Sequence, residues 1–178
     1  MTDEQSAKRR GKTVRAYIAI TPESLTESHI ESQWVTVVDK NFCMASEFPP
    51  PPLLHGEDRD VVEDMALQQA AAESLQWQGG DMPLRVVAVA ELESAAVEKT
   101  EDGFAGQYVL TRPVEFSEVE SFHVDAPEES AGLAVYARYH NEFSPIPVPA
   151  PPEGYELPDL LWFDGSELEV LRRFLGLS

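Results

Sequence analysis

PLRVVAVA, Pro83 to Ala90, is the stretch on which the fold turns. It is almost continuously apolar and rich in valine, the pattern of a strand covered on both faces. Such a strand belongs inside a sheet, so it is expected to be the central one. Just upstream, the period changes to that of a helix. Val61, Met65, Gln68, Ala72 and Leu75 recur at spacings of four and three, acids gather at the start (Asp58, Asp60, Glu63, Asp64), and Gly79-Gly80 marks the end. The run predicts a helix of about five turns with those residues as its buried face.

Further towards the N-terminus, Thr13 to Ile20 sets Val14, Ala16, Ile18 and Ile20 against Thr13, Arg15, Tyr17 and Ala19, the alternation of a strand. Thr21 suits an N-cap and Pro22 a first helical position, which predicts a short helix over Pro22 to His29. Trp34 to Val38 is β-rich, and Phe42 to Ala45 is either its hairpin partner or a helical turn. Phe48-Pro49-Pro50-Pro51-Pro52 can neither join a sheet centre nor continue a helix. It is read as a stiff surface connection over 48–57 in preference to a ligand for a proline-binding groove.

Downstream, GQYVLT (Gly106 to Thr111) predicts a strand, and VEFSEVESFHVD (Val114 to Asp125) a turn at Ser117-Glu118 followed by a strand from Val119 to Val124. In Ala131 to His140 the alternation of Leu133, Val135, Ala137 and Tyr139 points to a strand, although the alanines favour a helix. Six prolines between Asn141 and Pro158 make that segment an extended crossing, and the 20 residues after it cannot form a core of their own. At the C-terminus, Asp164 with Glu167 at N3 and a Phe163–Leu168 staple, or Ser166 with Glu169, caps a helix carrying Leu168, Leu171 and Leu175. Asp164-Gly165-Ser166-Glu167 is thus read as a helix start and not as a catalytic Asp or Ser.

The expectation is one α+β domain over residues 13–178, with a mixed or mainly antiparallel sheet, one long central helix and a C-terminal helix, preceded by a disordered basic arm over 1–12. No apolar run is long enough to cross a bilayer, and no signal-peptide core follows the basic residues of the N-terminus. With a single cysteine, Cys43, this predicts a cytoplasmic protein with no internal disulfide, no multi-thiolate metal site and no membrane role. Cys43 lies among apolar neighbours and is expected to be a buried small hydrophobe.

The net charge is −19. Five of the 13 basic residues (Lys8, Arg9, Arg10, Lys12, Arg15) precede residue 16, so residues 16–178 carry eight Lys and Arg against 30 Asp and Glu, a net of −22. Because nucleic-acid affinity comes largely from cations that neutralise phosphates, the folded domain is not expected to bind DNA or RNA, and a basic protein partner fits better.

No Gly-x-Ser-x-Gly elbow, Gly-x-Gly-x-x-Gly or P-loop is present, and no cofactor is implied. His123-Val124-Asp125 and His140-Asn141-Glu142 are two His-x-acid pairs, and i, i+2 residues share a face on a strand. His123, Asp125, His140 and Glu142 are therefore candidate ligands for a divalent transition metal. No catalytic residue beyond them can be singled out. The leading reading is a non-enzymatic domain acting through protein interaction, and the alternative is a small metal-dependent hydrolase.

VRAYIAITPESL, VVEDMALQQAAAESL, RVVAVAEL, VEFSEVESFHVD and LLWFDGSEL together resemble a family of small uncharacterised actinobacterial proteins, a domain of unknown function. The resemblance implies one cytosolic α+β domain and carries no site residues with it.

Overall fold

The computed structural model describes residues 12–32, 34–78, 82–140 and 150–177. Their core is a seven-stranded sheet in the order β5-β6-β3-β1-β4-β8-β9, every ladder antiparallel. The strands are β1 (Thr13–Ile20), β3 (Val35–Val37), β4 (Val86–Glu93), β5 (Val97–Lys99), β6 (Gln107–Leu110), β8 (Val119–Val124) and β9 (Leu161–Asp164). A separate two-stranded sheet pairs β2 (His29–Ile30) with β7 (Val114–Glu115). Four α-helices accompany them among the described residues: α1 (Lys40–Ala45), α2 (Gly56–Trp77), α3 (Ser130–Tyr139) and α4 (Leu168–Phe174). The α+β class, the antiparallel sheet, the long helix and the C-terminal helix are as expected. The middle position belongs to β1, however, with β4 beside it, because β4 has only β8 and the short β9 on its far side.

Alternation on β1 and β4 divides the core into two layers. Ile18, Ile20, Val86, Ala88, Phe122 and Val124 face one side, where Leu25, Ile30, Val114 and Leu171 cover them. Tyr17, Ala19, Val87 and Val89 face the other, against α2. The α2 face that packs is Val62, Ala66, Ala70, Ala71, Ser74 and Leu75, so the sequence-predicted stripe is corrected by about one residue: Val61 and Met65 are 48% and 38% exposed. Small side chains let the helix backbone approach the sheet, and Ser74 uses that closeness. Its buried hydroxyl donates to the Ile20 carbonyl and accepts from the Val86 amide, joining α2 to the ends of β1 and β4.

Three further expectations change. Ala131 to Tyr139 is helical, with His140 as its cap: Leu133, Tyr136 and Ala137 at helical spacing join a third apolar cluster with Leu75 and Leu84, and Ser130 and Ala134 are buried as well. The expected helix over Pro22 to His29 is a 3-10 turn, Pro22–Thr26, capped by Thr21, since the chain must extend to pair β2 with β7. Phe42 to Ala45 is part of α1, whose N-cap Asp39 accepts from the Phe42 amide at 2.8 Å. Cys43 is buried, as expected. Lys12 apart, the basic arm lies outside the described residues, as do Gly79-Gly80 and residues 141–149 of the proline-rich crossing. The remainder of that crossing is held to the core by Arg85, whose Nη2 donates to the Pro158 carbonyl at 2.6 Å.

Candidate functional site

The residues proposed from sequence as metal ligands are placed as follows. Asp125 is fully buried beside Arg85: its Oδ2 accepts from the Arg85 amide (2.8 Å) and Nε (2.9 Å), and its Oδ1 from Nη2 (2.7 Å). His123 is half-buried on β8, with Nε2 3.1 Å from the Ser121 hydroxyl. Burial, and then the charge of Arg15, hold its pKa below the ordinary histidine value. His140 ends α3, its ring 4.3 Å from that of Tyr136. Glu142 lies outside the described residues. Among the described residues no three His, Cys, Asp or Glu side chains are grouped to hold a metal, so His123, Asp125 and His140 do not converge.

Asp164 adopts the first of the two expected capping registers. It accepts from the Ser166 amide, and the Glu167 carboxylate accepts from the Asp164 amide. The hydroxyl of Ser166, and then its amide, hold the Asp164 carboxyl below its usual range, which is the chemistry of a cap.

A different residue stands out. Where α1, the second half of α2 and the loop before β6 meet, they enclose an open cleft of about 420 Å³. Each wall has a local cause. The Asp39 cap seats α1, and the Tyr108 hydroxyl donates to Asp39 Oδ2 at 2.7 Å, tying α1 to β6. Gly106, at φ +79°, lets the loop run against α1: a Cβ there would lie 2.7 Å from both the Val37 carbonyl oxygen and the Phe42 ring. Phe104 is consequently displayed at the rim, 77% exposed, while Phe42, Ala72 and Ala105 form the apolar wall.

Glu73 supplies the charge. Its Oε1 accepts from Gln107 Nε2 at 3.3 Å, and the Gln107 Oε1 in turn accepts from the Phe104 amide at 3.2 Å, so one amide side chain orients both carboxylate and loop. Glu73 Oε2 is closed from solvent with no hydrogen-bond partner. Burial raises the carboxyl from 4.5 to about 7, against the opposing effect of the Gln107 hydrogen bond. The Tyr155 hydroxyl is the other such orphan among the described residues, and it packs against Gly132 of α3 and away from this cleft. A second cleft, of about 390 Å³, is ringed by Glu23, Glu27, His29 and Glu31, but it contains neither orphaned atom.

The raised value has a consequence for stability. Between pH 4.5 and about 7 the unfolded chain releases the Glu73 proton and the folded chain keeps it, so the folded state weakens as pH rises through that window. Glu73→Gln is therefore expected to stabilise the protein at pH 8 and to leave it unchanged at pH 4. The gain is on the order of 1 kcal/mol once solvent screening of this half-buried group is allowed for. Thermal unfolding at the two pH values measures it, and equal melting temperatures at pH 8 would contradict the assignment.

The sequence singles out Glu73 by nothing, since it is one of 32 acids. Its α2 neighbours do carry a signal. Val61, Met65, Gln68 and Ala72 share one helical face, and that stripe, left exposed by the sheet, runs into the cleft at Ala72. Among the described residues no helix is long and apolar enough to cross a membrane. No curated protein and no solved structure matches the chain. A family model does match, over residues 14–171, which takes in β1 through the middle of α4, and the chain belongs to that family, described as a family of unknown function (DUF6912).

Proposed function

We propose that the domain is a non-enzymatic interaction module that docks a basic, amphipathic segment of another protein along α2. The observation that carries this reading is the exposed stripe of α2, where Val61 and Met65 stand in solvent on the same face as Glu57, Asp58 and Asp64. An apolar line bordered by carboxylates complements a helix with an apolar face and lysines or arginines beside it. The charge of −22 over residues 16–178 favours the same partner and would accelerate its encounter. A metal-dependent hydrolase built on His123, Asp125, His140 and Glu142 has less support, because Arg85 occupies both oxygens of Asp125.

The test is fluorescence anisotropy of a labelled model peptide with leucines at helical spacing and lysines alongside. The double variant Val61→Ser/Met65→Ser should bind at least about tenfold more weakly, given roughly 1.5–3 kcal/mol for each side chain fully buried. Asp58→Asn/Asp64→Asn should flatten the dependence on salt. Binding that ignores both pairs and follows only net charge would sink the proposal.

A further inference from the structure

We propose that the Glu73 cleft is a binding site for one lysine or arginine side chain of the docked segment, with the ammonium or guanidinium paired to the Glu73 carboxylate and the aliphatic stem along Phe42, Ala72 and Phe104. The inference deepens the docking reading and rests on it for the source of the cation.

The first support is an accounting of hydrogen bonds. A carboxylate offers about four acceptor positions, and Glu73 uses one, on Oε1. Gln107 Nε2 donates to Glu73 Oε1, the Phe104 amide to Gln107 Oε1 and Gln69 Nε2 to Thr36 Oγ1, and among the described residues none donates to Oε2. The Glu73 carboxylate thus keeps unused acceptor capacity in the wall of the cleft. The second support is charge. A carboxyl largely withdrawn from water interacts with an incoming cation more strongly than an exposed acid does, because the local dielectric is lower. The surrounding elements carry Asp39, Lys40 and Cys43 at α1 and Glu101, Asp102 and Tyr108 on the loop and β6, yet only burial and Gln107 shift Glu73. Among the described residues that line the cleft there is no lysine or arginine to pair with it.

The third support is shape. Lysine and arginine bury their methylene stems on apolar surface and keep the charged head for a polar partner. The cleft has that polarity along its length, with a carboxylate on the wall and an exposed Phe104 ring at the rim that also suits a guanidinium stacked on its face. Ala72 belongs both to the cleft and to the exposed α2 stripe, so a segment lying on the stripe would pass the opening and deliver one side chain into it.

The experiment uses the full chain and two probes, N-acetyl-arginine methylamide and N-acetyl-lysine methylamide, with N-acetyl-citrulline methylamide as the neutral control. Backbone amide shifts are followed during titration. Saturable shifts confined to Gln69, Ala72, Gln76 and Ala105 are expected for the cations and not for citrulline, with at least a tenfold loss of affinity in Glu73→Gln. Since the competent form is ionised Glu73, affinity should rise about tenfold from pH 6 to pH 8, the change in ionised fraction for a group titrating at about 7. Citrulline binding as well as arginine, shifts unchanged in Glu73→Gln, or shifts scattered over the exposed acids would each overturn the inference. The stripe variant Val61→Ser/Met65→Ser separates the two readings, because it should weaken the peptide and leave the small cations untouched. Peptide binding on the stripe with no probe shifts at the cleft overturns the cleft alone. Probe binding at the cleft with no peptide binding upholds the cleft and removes the docking reading.

Discussion

Replacing Asp125 with alanine is expected to lower the unfolding free energy by about 3–5 kcal/mol, because it strands the Arg85 guanidinium in the interior. Arg85 is 2% exposed and Asp125 is fully buried, so water cannot take over the lost contacts. Three hydrogen bonds go at once, including the one from the Arg85 amide that finishes the β4–β8 ladder beyond Val86 and Val124. The total stability of an ordinary domain is about 5–15 kcal/mol, so this single change removes a large part of it. Urea denaturation followed by circular dichroism measures the loss. Replacing both partners with apolar residues, Arg85→Met/Asp125→Leu, should recover much of it, since no charge then remains buried. The recovery should be incomplete, because Arg85→Met also removes the hydrogen bond to the Pro158 carbonyl that anchors the proline-rich crossing. A loss below about 1 kcal/mol in Asp125→Ala would show that the pair is solvated in solution.

Gly165→Ala should be the second most damaging change, at about 3 kcal/mol. A Cβ at Gly165 would lie 1.9 Å from the Val119 carbonyl oxygen and 2.8 Å from its carbon, and these are backbone atoms of β8 that cannot rotate aside. The turn must lift from β8, which loosens β9 and the docking of α4 through Leu171. Hydrogen exchange should show the loss concentrated at Leu161–Asp164 and Leu168–Phe174, with β1 and β4 less affected. Protection equal to that of the wild type in β9 and α4 would refute the close approach. The requirement here is for space and not for an unusual backbone angle, so no turn preference in the sequence marks Gly165 out.

Both cases bear on what was legible beforehand. The Asp164 cap is legible because its hydrogen-bond partners lie two and three residues away along the chain. The spacing of Asp125 from His123 points to a metal, whereas its partner in the fold is Arg85, 40 residues distant and inside the stretch that otherwise announces a strand. Glu73 was invisible. Its carboxyl is set apart by Gln107, 34 residues later, and by a loop that reaches α1 only because position 106 is glycine.

Sequence alone determined the class of the fold and most of its elements: strands at Thr13 to Ile20, Gly106 to Thr111 and Val119 to Val124, the long helix, and the capped helix at the end. Those features follow from the 2.0 and 3.6 residue periods and from caps, all of which act over a few positions. Tertiary structure decided the rest. It placed β1 and not β4 at the middle of the sheet, made Ser130–Tyr139 a helix, and chose the alanine face of α2 for burial, leaving Val61 and Met65 outside. These outcomes depend on which surfaces meet. A helix with two apolar stripes is consistent with burying either one, and only the close approach demanded by Ser74 bridging β1 and β4 selects between them.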